Sequence, residues 1–286
     1  MVHLSIDHRA QPDLRVTPMR ADHLAQAHGL SCMLQWPYRL EDWAFALALG
    51  EGLVVEHEGR LLGTALWWPH GEDFASVGMV IVAPEARRQG IGGLLMEALL
   101  AGTNGRRLVL NSTQDGFRLY VRLGFEAHGA VHQHQAVLAR APERAPFIRP
   151  FIPDDKQALL TLDRAASGME RAGLVDALSA VGQISVLERD GSVLAYGVLR
   201  VWGRGVVIGP VVARQQADAK AMIATLAAEC QGLFTRIDVT STGGLSPWLE
   251  SIGLPRVDEV VAMARGGAPV AVEGASVFAL SNQSLG

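Results

Sequence analysis

The chain has 286 residues, 29 acidic and 25 basic, for a formal net charge of −4. That length exceeds one small domain and suits two, each large enough to bury a core. Charges of both signs are scattered, so no basic stripe would draw nucleic acid or an anionic membrane. Cys32 and Cys230 frame no disulfide scaffold and no apolar run approaches 18 residues, so a reduced, cytoplasmic protein without a leader, working on small molecules, is expected.

In chain order, residues 1–13 are polar and unpatterned and read as a loose tail. A strand follows from Val16, then a helical region containing "QWPYRLEDWAFALALG" (Gln35 to Gly50). Trp36 and Tyr38 flank its proline and are candidates for an aromatic wall against a substrate, whereas Trp43 and Leu47, four apart, read as core. "EGLVVEHEGRLLGTALWW" reads as a hairpin turning at Gly59, with Trp67 and Trp68 on opposite strand faces. "PHGEDF" then offers His70, Glu72 and Asp73, either as polar groups at a site mouth or as a solvated turn. No base is assigned among them.

"VIVAPEARRQGIGGLLMEALL" runs an apolar strand through Pro84 into a helix whose apolar positions recur at Leu94, Leu95, Ala98 and Leu99. Glycines at the helix start leave N–H groups and the positive dipole end accessible to an anion, with Arg87 and Arg88 adding charge. The dinucleotide pattern G-x-G-x-x-G would need glycine at Leu95, and a P-loop would need Gly-Lys-Ser/Thr, so neither fits. What remains is R-x-x-G-x-G from Arg87 to Gly92, a phosphate cradle or a glycine-softened turn. The strand "RRLVLNS", the short helical "LYVRLGF" and a last strand carrying "HGAVHQH" complete the unit. His132 and His134 share a strand face with His128 nearby, but no series of Cys or carboxylate ligands accompanies them, so no metal is expected.

The same order recurs. At an offset of 132, "VTPMRADHLAQA" falls on "IRPFIPDDKQAL" and "VVEHEGRLLG" on "VLERDGSVLA". The offset drifts to 130 at Val82 over Val212 and to 129 where "LYVRLGF" lies over "WLESIGL". The expected division is a tail (1–13), a first domain (14–140), a linker (141–147), a second domain (148–265) and a C-terminal tail (266–286) whose segment Ser276 to Leu280 would add to a sheet edge. At the local offset Lys220 replaces Gly90 and Met222 replaces Gly92, their side chains filling the cradle, and Leu249 stands for Tyr120.

"VIVAPEARRQGIGGLL" together with "LYVRLGF" about 30 residues later resembles the GNAT superfamily of acyl-CoA-dependent N-acyltransferases, in its tandem form with a degenerate second domain. The resemblance implies an α/β fold of two domains, each a mixed, mostly antiparallel sheet flanked by helices. It implies acetyl-CoA as cosubstrate, its pantetheine arm on the backbone of Val80 and Val82. The pyrophosphate would lie on the loop of Arg87, Arg88, Gln89, Gly90, Gly92 and Gly93. Tyr120 would be the general acid toward the CoA thiolate. Thr113 stands where the family often has asparagine, and Asn111, two residues earlier, is the nearest candidate for that polar contact.

The expected activity is therefore N-acetyl transfer to a small-molecule amine or amino-acid-like acceptor, without nucleic acid, membrane or metal. Trp36, Tyr38, His70 and Glu72 are candidate acceptor contacts. The second half would cover the acceptor cleft, with Asp163, Arg171, Tyr196, Arg200 and Arg204 as its polar groups. The alternatives are an acyl-CoA-binding sensor or scaffold without turnover, or an acyltransferase using another acyl-CoA or a protein acceptor.

Overall fold

A computed structural model describes residues 14–140, 142–272 and 274–286; the expected tail at 1–13 lies outside the described residues. The first half contains β1 (Arg15–Pro18), α1 (Leu24–Met33), α2 (Leu40–Leu49), β2 (Glu51–His57), β3 (Arg60–His70), β4 (Phe74–Val82), α3 (Ile91–Gly102), β5 (Arg107–Ser112), α4 (Gln114–Arg122) and β6 (Glu126–Val137). The second repeats the order as β7 (Ile148–Pro150), α5 (Lys156–Ser167), α6 (Ala172–Val181), β8 (Gly182–Arg189), β9 (Ser192–Trp202), β10 (Gly205–Ala213), α7 (Gln216–Ala227), β11 (Phe234–Thr240), α8 (Ser246–Ser251) and β12 (Arg256–Arg265). A further strand, β13 (Ser276–Ala279), follows.

Local chemistry sets the turns. The β2–β3 hairpin turns on Glu58 (φ 50°) and Gly59 (φ 75°), and β8–β9 on Asp190 (φ 51°) and Gly191 (φ 73°). Two successive positive φ values match the right-handed twist of the flanking strands. β3 is covered on both faces, which explains why Trp67 and Trp68 are both buried. Trp68 donates from Nε1 to Ala46 O of α2 at 2.7 Å. On the opposite face, Gly63 lies against Ile91 and Leu95 of α3, leaving no room for a Cβ. Trp43 is fully buried, its Nε1 donating to Ser31 Oγ at 3.1 Å.

All strands join one mixed sheet in the order β1-β2-β3-β4-β5-β12-β6-β11-β13-β10-β9-β8-β7. The halves are interlocked. β12, from the second repeat, lies antiparallel to β5 of the first, from Val261 opposite Ser112 to Arg265 opposite Leu108. β6, from the first, lies antiparallel to β11 of the second, from Phe234 opposite Val137 to Thr240 opposite Val131. β6 and β12 also pair with each other at the centre.

One parallel strand pair in each half comes apart. β4 and β5 pair from Phe74 opposite Arg107 to Val77 opposite Leu110, and then diverge. β10 and β11 pair at Val206 opposite Thr235 and Val207 opposite Arg236, and diverge in turn. In the second half β13 enters that gap, antiparallel to β10 at Val211 to Ala213 and touching β11 at Val239 opposite Ala279. The expectation of a strand at a sheet edge is thus corrected: β13 lies inside the sheet, because the diverging strands present unpaired backbone groups that an internal strand satisfies.

Because each half's sheet is completed by a strand of the other, the halves should unfold together. Calorimetry should give one transition with equal calorimetric and van't Hoff enthalpies. Two resolved transitions would contradict the interlock.

Candidate active site

Among the described residues, no strand fills the gap in the first half. After Val77, β4 makes a bulge at Met79 (φ 51°), where its register against β3 shifts between Thr64 and Leu66. From Gly78 to Val82 no strand pairs with the edge of β4 that faces β5, and Val80 and Val82 stay partly exposed. Such an edge can accept an extended ligand arm as it would a strand.

The loop after β4 passes through a single helical turn at Pro84–Ala86, then Arg88 (φ 64°) and Gly90 (φ 82°), and enters α3 at Ile91. The first helical bond runs from Leu94 N to Gly90 O at 3.0 Å, and Gly90 supplies no side-chain cap. The N–H groups from Arg88 through Gly93 consequently have no backbone acceptor among the described residues. A Cβ built at Gly90 or Gly93 meets nothing within 4 Å, so the space in front of them is open. Arg87, Arg88 and Gln89 are exposed along the loop. Open N–H groups at a helix start beside two guanidiniums fit a pyrophosphate.

Tyr120 of α4 is buried, packs over Gly116 and stacks edge-on against Phe125 at 5.8 Å. Burial pushes its phenol well above the ordinary value, so it keeps its proton throughout the neutral range. The hydroxyl makes no side-chain hydrogen bond among the described residues.

The other face of the same gap is covered by the C-terminal segment. Ser284 lies against Gly78, where a Cβ would come within 2.8 Å of it. Tyr38 Oη meets Ser284 Oγ at 2.6 Å, Asn111 Nδ2 donates to Gln283 O at 2.8 Å, and Ser76 Oγ donates to Leu285 O at 3.3 Å. From the second half, Arg200 Nη2 donates to Ser281 O at 3.2 Å, and Gln283 Nε2 donates to Asp238 Oδ1 at 3.3 Å. Beside this segment lies a cavity of about 290 Å³. Its wall includes Ser76 and Leu110, where β4 and β5 part, and Ser167 and Arg171 of the second half.

His70 is buried, with Nε2 3.0 Å from Ser76 Oγ. Ser76 Oγ also lies 3.3 Å from Leu285 O, so the serine bridges the imidazole and the C-terminal backbone. Burial, reinforced by the nearby Arg171 cation, lowers its pKa to about 3. His70 therefore positions Ser76 and is a poor proton acceptor at neutral pH.

Of the residues singled out in the sequence, Tyr38 and Asn111 meet the C-terminal segment directly, and His70 meets it through Ser76. Trp36 stands behind Tyr38 at 6.2 Å, and Glu72 and Asp73 lie exposed in the β3–β4 turn. Asp163, Arg171 and Tyr196 come together in the interior: Arg171 donates from Nε and Nη2 to Asp163 at 3.0 and 2.5 Å, and Tyr196 Oη donates to the same carboxylate. Removing one member of such a buried pair costs about 3–5 kcal/mol. Arg204 lies elsewhere, over the Phe234 ring. His132 and His134 both bond Ser246 Oγ and His134 also meets Leu254 O, tying β6 to the second half. Ser76 and the 281–286 segment carry no periodicity or motif that would have flagged them.

The second half corrects the expected reason for its missing cradle. Met222 and Leu226 pack on Gly197 as Ile91 and Leu95 pack on Gly63, so Met222 corresponds to Ile91 and points into the core. Its helix starts at Gln216, six residues ahead of Met222. Residues matching the open loop are therefore helical, and their N–H groups are drawn into helical bonding rather than masked by side chains. Leu249 does match Tyr120: Leu254 N donates to Leu249 O as Phe125 N donates to Tyr120 O.

Two interlocked α/β halves, each built on a parallel strand pair that parts, define the fold class of the chain. Two family models, each described as an acetyltransferase (GNAT) domain, match residues 49–127 and 159–279. The chain carries two GNAT acetyltransferase domains in tandem, a family whose chemistry is acyl transfer. It is 28% identical over 221 residues to YitH of Bacillus subtilis (strain 168), described as an uncharacterized N-acetyltransferase, covering 74% of this chain and 76% of that one. In fold it is similar to a putative acetyltransferase from Pyrococcus horikoshii, with a TM-score of 0.82, 16% identity and 100% coverage of both chains. A tandem GNAT protein from the clavulanic acid biosynthesis pathway gives a TM-score of 0.61 at 15% identity, covering 88% of this chain and 98% of that one.

A histidine whose folded pKa lies below its unfolded value of about 6.5 binds fewer protons folded than unfolded. Its share of stability is full above pH 6.5 and is lost as pH falls toward 3. Between pH 6 and 4, His70→Gln should flatten the loss of stability by up to about 1.4 kcal/mol per pH unit. An NMR titration should find the wild-type imidazole neutral down to pH 5, and a midpoint near 6.5 would refute the assignment.

Proposed function

We propose that the protein is an acetyl-CoA-dependent N-acetyltransferase acting on a small amine or amino-acid-like acceptor, its chemistry confined to the first half. The observation that carries this reading is that the first half combines three features: the unpaired edge of β4, the open N–H groups from Arg88 through Gly93, and the buried, protonated Tyr120. When bound there, acetyl-CoA would supply an activated acyl group and a thiolate leaving group. The backbone of Val80 and Val82 would hold the pantetheine arm as an added strand. The loop N–H groups, with Arg87 and Arg88, would hold the pyrophosphate.

An alkylammonium of pKa about 10.4 is almost wholly protonated at neutral pH, so the acceptor must lose a proton before it attacks. His70 does not take it, and the cavity beside Ser76 leaves room for water to carry it out. Tyr120, kept protonated, would donate a hydrogen bond to the departing sulfur; because the thiol's unperturbed pKa of about 8.5 lies below the phenol's, this bond would stabilise the thiolate, and any proton passed to it would be restored to Tyr120 from solvent. A cavity of about 290 Å³ stands at the small end of ligand pockets, typically ~300–1,000 Å³, and favours a metabolite over a protein segment.

Thiol release from acetyl-CoA should be detectable with at least one small amine or amino acid. Tyr120→Phe should lower kcat by roughly 10²–10⁴-fold while leaving the KM for acetyl-CoA near the wild-type value. An unchanged kcat would remove Tyr120 from the acid role, and absence of thiol release with every amine offered would overturn the activity.

A further inference from the structure

Few charged groups line the acceptor-side cavity. Its wall contains Arg171, His128 and the last residue, Gly286, with no aspartate or glutamate side chain. Burial lowers the pKa of His128, which leaves the Arg171 guanidinium as the full positive charge in the wall. Asp163, the carboxylate that pairs with Arg171, is not part of the lining. It engages the Nε and Nη2 edge of the guanidinium from behind and is held there by Tyr196. The Nη1 end meets no carboxylate among the described residues.

The placement of Arg171 is built in. It follows the turn at Gly168 (φ 67°) that ends α5, and the adjoining Glu170 packs on Gly71 at the β3–β4 turn of the first half. A cation from the second half is thereby fixed across the cavity from Ser76 and Leu110, where β4 and β5 part.

Resting on the acetyltransferase reading above, we infer that the acceptor is an amine that also carries a carboxylate, bound with its carboxylate on Arg171 and its amine toward the parting of β4 and β5. A guanidinium fork suits a planar carboxylate, and its forward edge is the one Asp163 leaves open.

The test pairs leucine, phenylalanine, histidine and tryptophan with their decarboxylated amines, 3-methylbutylamine, 2-phenylethylamine, histamine and tryptamine. The remaining proteinogenic amino acids extend the acid series. Thiol release from acetyl-CoA is followed alongside calorimetric binding of the N-acetylated acids and amines. At least one acid should exceed its amine tenfold or more in kcat/KM. The double variant Asp163→Asn with Arg171→Gln removes both charges without stranding either, and should abolish that preference while circular dichroism stays native. Amines turned over as well as their acids, or a preference unchanged in the double variant, would overturn the inference. If no acceptor releases thiol, the acetyltransferase reading fails on its own, and calorimetry still decides this one. Binding of N-acetyl acids without their amine counterparts upholds the carboxylate site, and equal or absent binding of both overturns it.

Discussion

The structure turns on the divergence of a parallel strand pair. Backbone N–H and C=O groups inside a sheet demand partners, and β4 and β5 separate after Val77 and Leu110 and stop supplying each other's. The second half meets the same demand after Val207 with β13, a strand of its own chain. Among the described residues the first half has no such strand and keeps an edge of β4 unpaired. One gap is closed by the fold and the other is not.

The interlock follows from the same arrangement. With β12 beside β5 and β6 beside β11, neither half owns a complete sheet, and the centre of the molecule is made by both. The polypeptide after β13 then crosses to the open gap and is held by Tyr38, Ser76 and Asn111 from the first half and by Arg200 and Asp238 from the second. The cavity beside this segment draws its wall from both halves, with Ser76 and Leu110 from the first and Ser167 and Arg171 from the second.

Much of this was legible in the sequence. The repeated hairpin glycines, Gly59 and Gly191, and the matching "LYVRLGF" and "WLESIGL" announced two copies of one unit, and the glycines before α3 announced an open loop at a helix start. Asp163, Arg171 and Tyr196 were named as candidates because a covering half must offer polar groups. The strand exchange was invisible, since β6 and β12 carry the same alternating pattern whichever neighbour they pair with. The place of β13 was hidden for a related reason: an apolar strand looks alike at an edge and in a gap. The missing second cradle was read as crowding by Lys220 and Met222, whereas a helix of the same length that begins earlier draws its N–H groups into bonding, a property of backbone conformation rather than of side-chain size.

The central claim is that one gap binds a CoA thioester and the other is filled by the chain itself. The most direct measurement is the calorimetric stoichiometry of acetyl-CoA binding to the intact protein. One molecule per chain is predicted. Two per chain would mean that β13 does not close the second gap, and none at millimolar concentration would mean that the open edge of β4 serves another purpose.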